Sequence, residues 1–264
     1  MCGVPHLVCR QSGHDSSLSR HRETDMVQTP WRHPPLTKEQ ENTLFMLLLE
    51  DDREDAPWMV MGDLQFWSAS DFAQSLCAHA REEGLAWYVA AMLPITFEWP
   101  GVSGKKTLAP DTLVSFVPDR ARGSYDLAVE GAFPPFVLEV VSPASTNRDH
   151  EEKRQAYDLL GAREYALFTP RAEDASTLDG FRRGRAGAFE PWPADDRGRL
   201  WSNVLELYLV VRGTLVQAET RDGQVLLTPQ QEAERRRRAE EEVDRLRREL
   251  NRLKGESSDN DPGA

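Results

Sequence analysis

The chain alternates apolar runs of strand length with stretches whose apolar positions recur every three to four residues. Residues 37–49 (TKEQENTLFMLLL) carry Leu44, Leu47 and Leu48 on one side and follow Thr37, a capping residue, so they predict a helix. A second helix is predicted from a cap at Ser70 or Asp71 to about Glu83, with Phe72, Leu76 and His79 at core spacing. From Leu85 the period becomes that of a strand. "LAWYVAAMLPITFEW" (85–99) is long and rich in β-formers, and Pro94 marks a bulge or an edge within it. After the turn "PGVSGKKT", "LAPDTLVSFV" (108–117) reads as the next strand, with Pro110 restricting the chain just before Asp111.

The middle of the chain reads as strand, helix, strand. Residues 136–141 (FVLEVV) are apolar at both parities, which fits a strand covered on both faces of a mixed or parallel sheet. A helix over 149–160 and a strand over 164–169 complete a unit that should cross over right-handed. Hairpin elements follow near 177–190, 203–211, 214–219 and 224–227, with Asp222-Gly223 as a tight-turn signal. The pattern is that of an α/β protein. Residues 1–35 are polar and predict a disordered tail, 36–228 the domain itself, 229–254 a charged helix, and 255–264 a second disordered tail. In the charged helix Val243, Leu246, Leu250 and Leu253 repeat at coiled-coil spacing among Glu and Arg, which suits either a short coiled coil in homodimer contact or a solvated helix.

Two residues break these patterns. Glu139 stands inside the buried run, where an unpaired carboxylate costs several kcal/mol unless it gains a cation, a donor or water. Lys153 shares the inward stripe of its helix with Asp149, Ala156, Tyr157 and Leu160, while Glu151, Arg154, Gln155 and Asp158 form the solvated face. One reading pairs Lys153 with Asp149, four residues earlier, and lays its stem over apolar surface. The other brings it to the carboxylates.

Composition narrows the chemistry. With 264 residues and 39% hydrophobic content the chain buries a real core, and no run of 18 apolar residues offers a membrane span, so a cytoplasmic protein is expected. Three cysteines, Cys2, Cys9 and Cys77, support neither a disulfide framework nor a zinc ribbon. Four of the six histidines lie before residue 36, which argues against a histidine triad or a multi-histidine metal site. The net charge of −12 excludes a protein that coats duplex DNA through overall basicity. Any nucleic-acid contact is local, with Arg120 and Arg122, then Arg182, Arg183 and Arg185, as candidate patches or as ordinary solvated arginines.

Asp111 at the edge of one strand and Glu139 within the next make a candidate pair. Two carboxylates about 4 Å apart repel by roughly 4 kcal/mol at an effective dielectric of about 20, which favours a raised pKa or a bound divalent cation. Oxygen ligands suit Mg²⁺ or Mn²⁺. A nearby lysine orients water or neutralises charge growing on a phosphate.

"APD" (109–111), "PPFVLEVVSPAS" (134–145), "RDHEEKRQAYDLLGAREYALFTP" (148–170), "GRLWS" (198–202) and "LLTPQQEAERRRRAEEEVDRLR" (226–247) resemble the Uma2 family of restriction endonucleases in the PD-(D/E)XK superfamily. The resemblance spans roughly residues 60–254. It implies a restriction-endonuclease-like mixed β-sheet flanked by helices over 36–228 and Mg²⁺-dependent (or Mn²⁺-dependent) cleavage of nucleic acid, DNA ahead of RNA. Asp111, Glu139 and Lys153 match the catalytic positions; Asp111, Glu139 and the backbone carbonyl of Val140 would hold the metal, and Asp149 and Tyr157 would hold Lys153. The superfamily's strand lysine falls where this chain has Val141, so Lys153 replaces it from the helix. The alternative is a nuclease-shaped fold without activity that binds a protein or a nucleic acid.

Overall fold

The computed structural model describes residues 7–8, 31–50, 63–141, 147–171 and 175–258. They divide into two compact units, Met1–Leu226 and Leu227–Ala264. In chain order the first unit holds β1 (Leu7–Val8), α1 (Lys38–Glu50), α2 (Asp63–Glu82), β2 (Tyr88–Ala91), β3 (Ile95–Glu98), β4 (Lys105–Leu108), β5 (Thr112–Ser115), β6 (Tyr125–Asp126), α3 (Leu127–Glu130), β7 (Phe136–Val140), α4 (Asn147–Leu160), β8 (Glu164–Thr169), β9 (Thr177–Arg183), β10 (Phe189–Pro191), β11 (Leu200–Trp201), β12 (Tyr208–Arg212) and β13 (Leu215–Glu219). The second unit is one helix, α5 (Pro229–Ser258).

Seven strands form the main sheet in the order β1-β2-β5-β7-β8-β9-β10. Only β7 and β8 run parallel, joined through α4; the other neighbours are antiparallel, so the sheet is mixed. On one face α2 and the antiparallel sheet β11-β12-β13 bury Phe72, Leu76, Val114, Phe136, Leu138, Phe168 and Leu209. On the other, α1, α4 and the sheet β4-β3-β6 bury Leu44, Tyr88, Leu113, Val137, Tyr157 and Tyr165. The double cover explains why all five residues of β7 are buried and why its sequence is apolar at both parities.

At the start of α1, the Gln40 side chain accepts from the Thr37 N–H at 2.9 Å and the Thr37 hydroxyl accepts from the Gln40 N–H at 3.2 Å, a closed capping box. The second helix corrects the sequence expectation. It starts at Asp63, two turns before Ser70 and Asp71, which lie inside it. Ser68, Ala69, Ser70 and Ser75 are small and buried, so the helix packs closely on the sheet, and the Ser75 hydroxyl returns to the Phe72 carbonyl at 2.8 Å. Small polar residues satisfied within a helix carry the same signal as a cap.

The run 85–99 also divides. Met92, at φ 54°, and Pro94 break it into β2 of the main sheet and β3 of the small one. Part of the stretch expected to be a disordered tail is docked: Leu7–Val8 pairs with Ala90 and Ala91, and the rings of Trp31 and His33 pack against Phe97 and Trp99. The remainder of 1–30, and 259–264, lie outside the described residues. Among the described residues no helix is long and apolar enough to cross a membrane.

Candidate active site

The site forms where β5 ends its pairing with β7. The register runs Thr112–Leu138, Leu113–Val137, Val114–Phe136, so Asp111 stands one residue beyond the ladder, level with Glu139. Pro110 has no N–H and prevents the ladder from continuing. The Val140 N–H, which would otherwise lack a partner on that side, donates to Asp111 Oδ2 at 2.6 Å. Asp111 is anchored through its own carbonyl as well, which accepts from the Met92 N–H at 2.9 Å. The positive φ at Met92 thus serves the turn that holds Asp111 in place.

Asp111 is 5% exposed. Burial, and then the charge of Glu139, push its carboxyl up to about 7, against the partial relief of the Val140 N–H, Lys153 and Gln65. Glu139, at 4% exposure, projects from β7 toward α4. Its Oε2 accepts from Lys153 Nζ at 2.9 Å and its Oε1 from the Tyr157 hydroxyl at 2.6 Å. The structure brings Lys153 to Glu139, as one of the two readings expects; the other, its pairing with Asp149, falls on a side chain outside the described residues. The expectation for Tyr157 needs correction, because its hydroxyl holds Glu139 and not Lys153. The tyrosine is one turn further along α4, fully buried, and faces the strand. Burial and the negative field of Glu139 hold its hydroxyl well above the ordinary tyrosine range, so it stays a donor.

Gln65 of α2 enters the same corner from the opposite face of the sheet. Its amide nitrogen lies 3.3 and 3.4 Å from the two oxygens of Asp111, and its buried Oε1 has no hydrogen-bond partner. An amide oxygen in that position is an acceptor held ready for a cation or a water. Sequence reading missed this residue, since a neutral glutamine carries no charge signal and its helix was expected to begin later. Tyr165, beside Tyr157 with ring centroids 5.4 Å apart, also keeps a buried hydroxyl without a hydrogen-bond partner; burial and the charges of Glu139 and Asp111 raise it.

Two candidate contacts for nucleic acid have structural tasks. Arg122 has a side chain only 2% exposed, bonded to Glu130 at 2.8 and 2.9 Å and stacked over Tyr88. Arg183 donates to the carbonyls of Ala162 and Asp158 and pairs with the Asp158 carboxylate at 3.2 Å. Neither guanidinium is free for a phosphate.

Among the described residues no three His, Cys, Asp or Glu side chains cluster closely enough to hold a metal ion. A divalent cation would therefore rest on the two carboxylates, on neutral oxygens and on water. Mg²⁺ accepts such a set, because it keeps several waters and binds through one or two carboxylates. The raised carboxyl of Asp111 and the unpartnered Gln65 oxygen both fit that use.

These features define an α/β protein with a buried carboxylate pair and a lysine at the end of its central strands. The chain matches the Uma2 family, described as "Putative restriction endonuclease", over residues 57–212, more than half of its length, and it belongs to that family. Among solved structures it is similar to a protein from Anabaena variabilis ATCC 29413, titled a putative nuclease belonging to DUF820, at 14% identity and a TM-score of 0.41, covering 56% of this chain and 75% of the other. No curated protein matches the chain.

Proposed function

We propose that this protein is a divalent-metal-dependent endonuclease that hydrolyses phosphodiester bonds, acting in the cytoplasm. The family's description as restriction endonucleases favours DNA over RNA. The observation that carries the reading is the buried pair of Asp111 and Glu139, level across two strands, with Lys153 reaching it from α4.

Asp111, Glu139 and the backbone carbonyl of Val140 would hold Mg²⁺ or Mn²⁺. In an extended strand a residue's N–H and C=O point to the same side, so the Val140 carbonyl faces the side on which Asp111 takes its N–H. Gln65, whose amide nitrogen faces Asp111 and whose buried Oε1 has no hydrogen-bond partner, would be a further oxygen ligand. The cation, when bound, supplies Lewis-acid charge at the phosphate and a more acidic water. Lys153 carries the remaining work: its ammonium positions the attacking water or balances the charge that develops on the phosphoryl oxygens. Tyr157 keeps Glu139 aimed at the site. Attack by water on phosphorus and departure of the sugar oxygen in line complete the hydrolysis.

Purified protein with Mg²⁺ or Mn²⁺ is expected to nick double-stranded DNA, and EDTA, Glu139→Ala or Lys153→Ala to abolish the nicking. Full activity in both variants would remove the mechanism. A second reading, a nuclease-shaped module that binds a partner and cuts nothing, draws on one observation: both oxygens of Glu139 already hold donors. Calorimetry separates the two, since only the enzyme binds Mn²⁺ in a manner that Glu139→Ala destroys.

A further inference from the structure

We propose that α5 joins two copies of this chain as a parallel, in-register two-stranded coiled coil. Every side chain from Ala233 to Arg252 is exposed. Within that surface the large apolar residues are Val243, Leu246 and Leu250, each about half exposed at 45%, 52% and 52%. A helix of this length in water draws its stability from packing an apolar face. Here that stripe is narrow, which suits another helix better than a sheet.

The heptad register follows from the stripe. Val243, Leu246 and Leu250 take positions a, d and a; Ala239 occupies the preceding d and Arg236 the preceding a. The flanking charges then fall in a fixed order. Arg235, Glu242 and Glu249 occupy g, and Glu240 and Arg247 occupy e. In a parallel pair each g faces the following e of the other helix, giving Arg235 with Glu240 and Glu242 with Arg247. Both pairs are opposite in sign.

An antiparallel pair that stacks the same apolar residues sets g against g and e against e. That arrangement opposes Glu249 to Glu249 and Arg247 to Arg247, both like charges. The pattern therefore selects the parallel orientation. Within one helix Glu242 pairs with Arg245 at 2.6 Å and Arg247 with Asp244 at 3.6 Å, both on open surface, where such pairs hold weakly and re-form readily. The layer of Val243 at a and Leu246 at d favours two strands, and the charged Arg236 at another a fixes the register at some cost in stability.

Sedimentation equilibrium of the full chain tests this. Wild type is expected to dimerise over the micromolar to millimolar range, and the double variant Leu246→Glu, Leu250→Glu to stay monomeric with the melting of the sheet unit unchanged. Glu242→Arg should weaken the dimer roughly tenfold, and adding Arg247→Glu should restore it. A wild-type chain that remains monomeric throughout overturns the proposal. So does a dimer that Glu242→Arg leaves unweakened, because in the parallel pair that arginine meets Arg247.

Discussion

The Tyr157 hydroxyl donates to Glu139 Oε1 at 2.6 Å while Lys153 Nζ donates to Oε2 at 2.9 Å, so one turn of α4 fixes both oxygens of a buried acid on the neighbouring strand. Tyr157→Phe keeps the ring, its packing against Tyr165 and its volume, and removes only the donor. The loss should be about 1–3 kcal/mol, the range for a buried charged acceptor deprived of one partner. Urea unfolding measures it. In the proposed enzyme the variant should lose kcat more than nucleic-acid affinity, because the pinned carboxylate serves the reaction and not the docking. Wild-type stability together with wild-type kcat would show that the hydroxyl is idle.

Asp111 should make the metal-free protein less stable as pH rises. Its folded carboxyl keeps the proton up to about 7, against 3.8 for the ordinary group. Between those values the folded state binds more proton than the unfolded chain, so stability is fullest below the lower value and declines toward the upper one. At about 1.4 kcal/mol per pKa unit the whole decline is on the order of 4 kcal/mol. Asp111→Asn has no proton to release and should lack this part of the slope, which unfolding in EDTA across the pH range would reveal. Added Mg²⁺ should restore stability to wild type above neutrality and leave the asparagine variant unmoved. Identical pH slopes in the two proteins would place the titration elsewhere.

Gln65 offers a test of the unpartnered oxygen. Gln65→Met preserves length and volume while removing both the amide donor near Asp111 and the buried acceptor. Stability near neutral pH should change by no more than about 1 kcal/mol, since a weak hydrogen bond and an unsatisfied polar atom leave together. Mn²⁺ affinity, read by calorimetry, should fall roughly tenfold to a hundredfold, as it does when a group supporting a metal is removed. Unchanged affinity would leave Gln65 as a spacer between α2 and the sheet.

The contrast between these residues explains what the sequence disclosed. Glu139 and Lys153 were visible because a charge in an apolar strand, or on the inward stripe of a helix, breaks the local period, and Pro110 drew attention to Asp111. Gln65 breaks nothing, being neutral and placed in a helix whose buried serines imitate a cap. The division at Met92 and Pro94 was equally hidden. Residues on both sides are apolar strand formers, and what separates them is the destination of each half: β2 to the main sheet, β3 to a small sheet whose parallel partner, β6, lies beyond β4 and β5 in the chain. Such pairings are decided by distant segments and leave no trace in local periodicity.

A buried acid remote from the site supplies the control. Glu164, 2% exposed, begins β8 in register with Phe136, at the opposite end of β7 from Val140. Burial raises its carboxyl, partly relieved by the Ser202 hydroxyl and by backbone N–H groups of Asn203, at 2.7 Å, and Val204. It therefore ties the loop after β11 to the main sheet. Glu164→Ala would leave those donors buried and unanswered and should cost about 2–4 kcal/mol, while Glu164→Gln, which keeps an acceptor oxygen, should cost about 1 kcal/mol. Neither change should alter Mn²⁺ affinity or the rate of DNA nicking once the protein is folded. A Glu164→Ala protein that kept its stability and lost metal binding would move this carboxylate from the framework into the site, and the placement of the site at the Asp111 end of the strands would then be wrong.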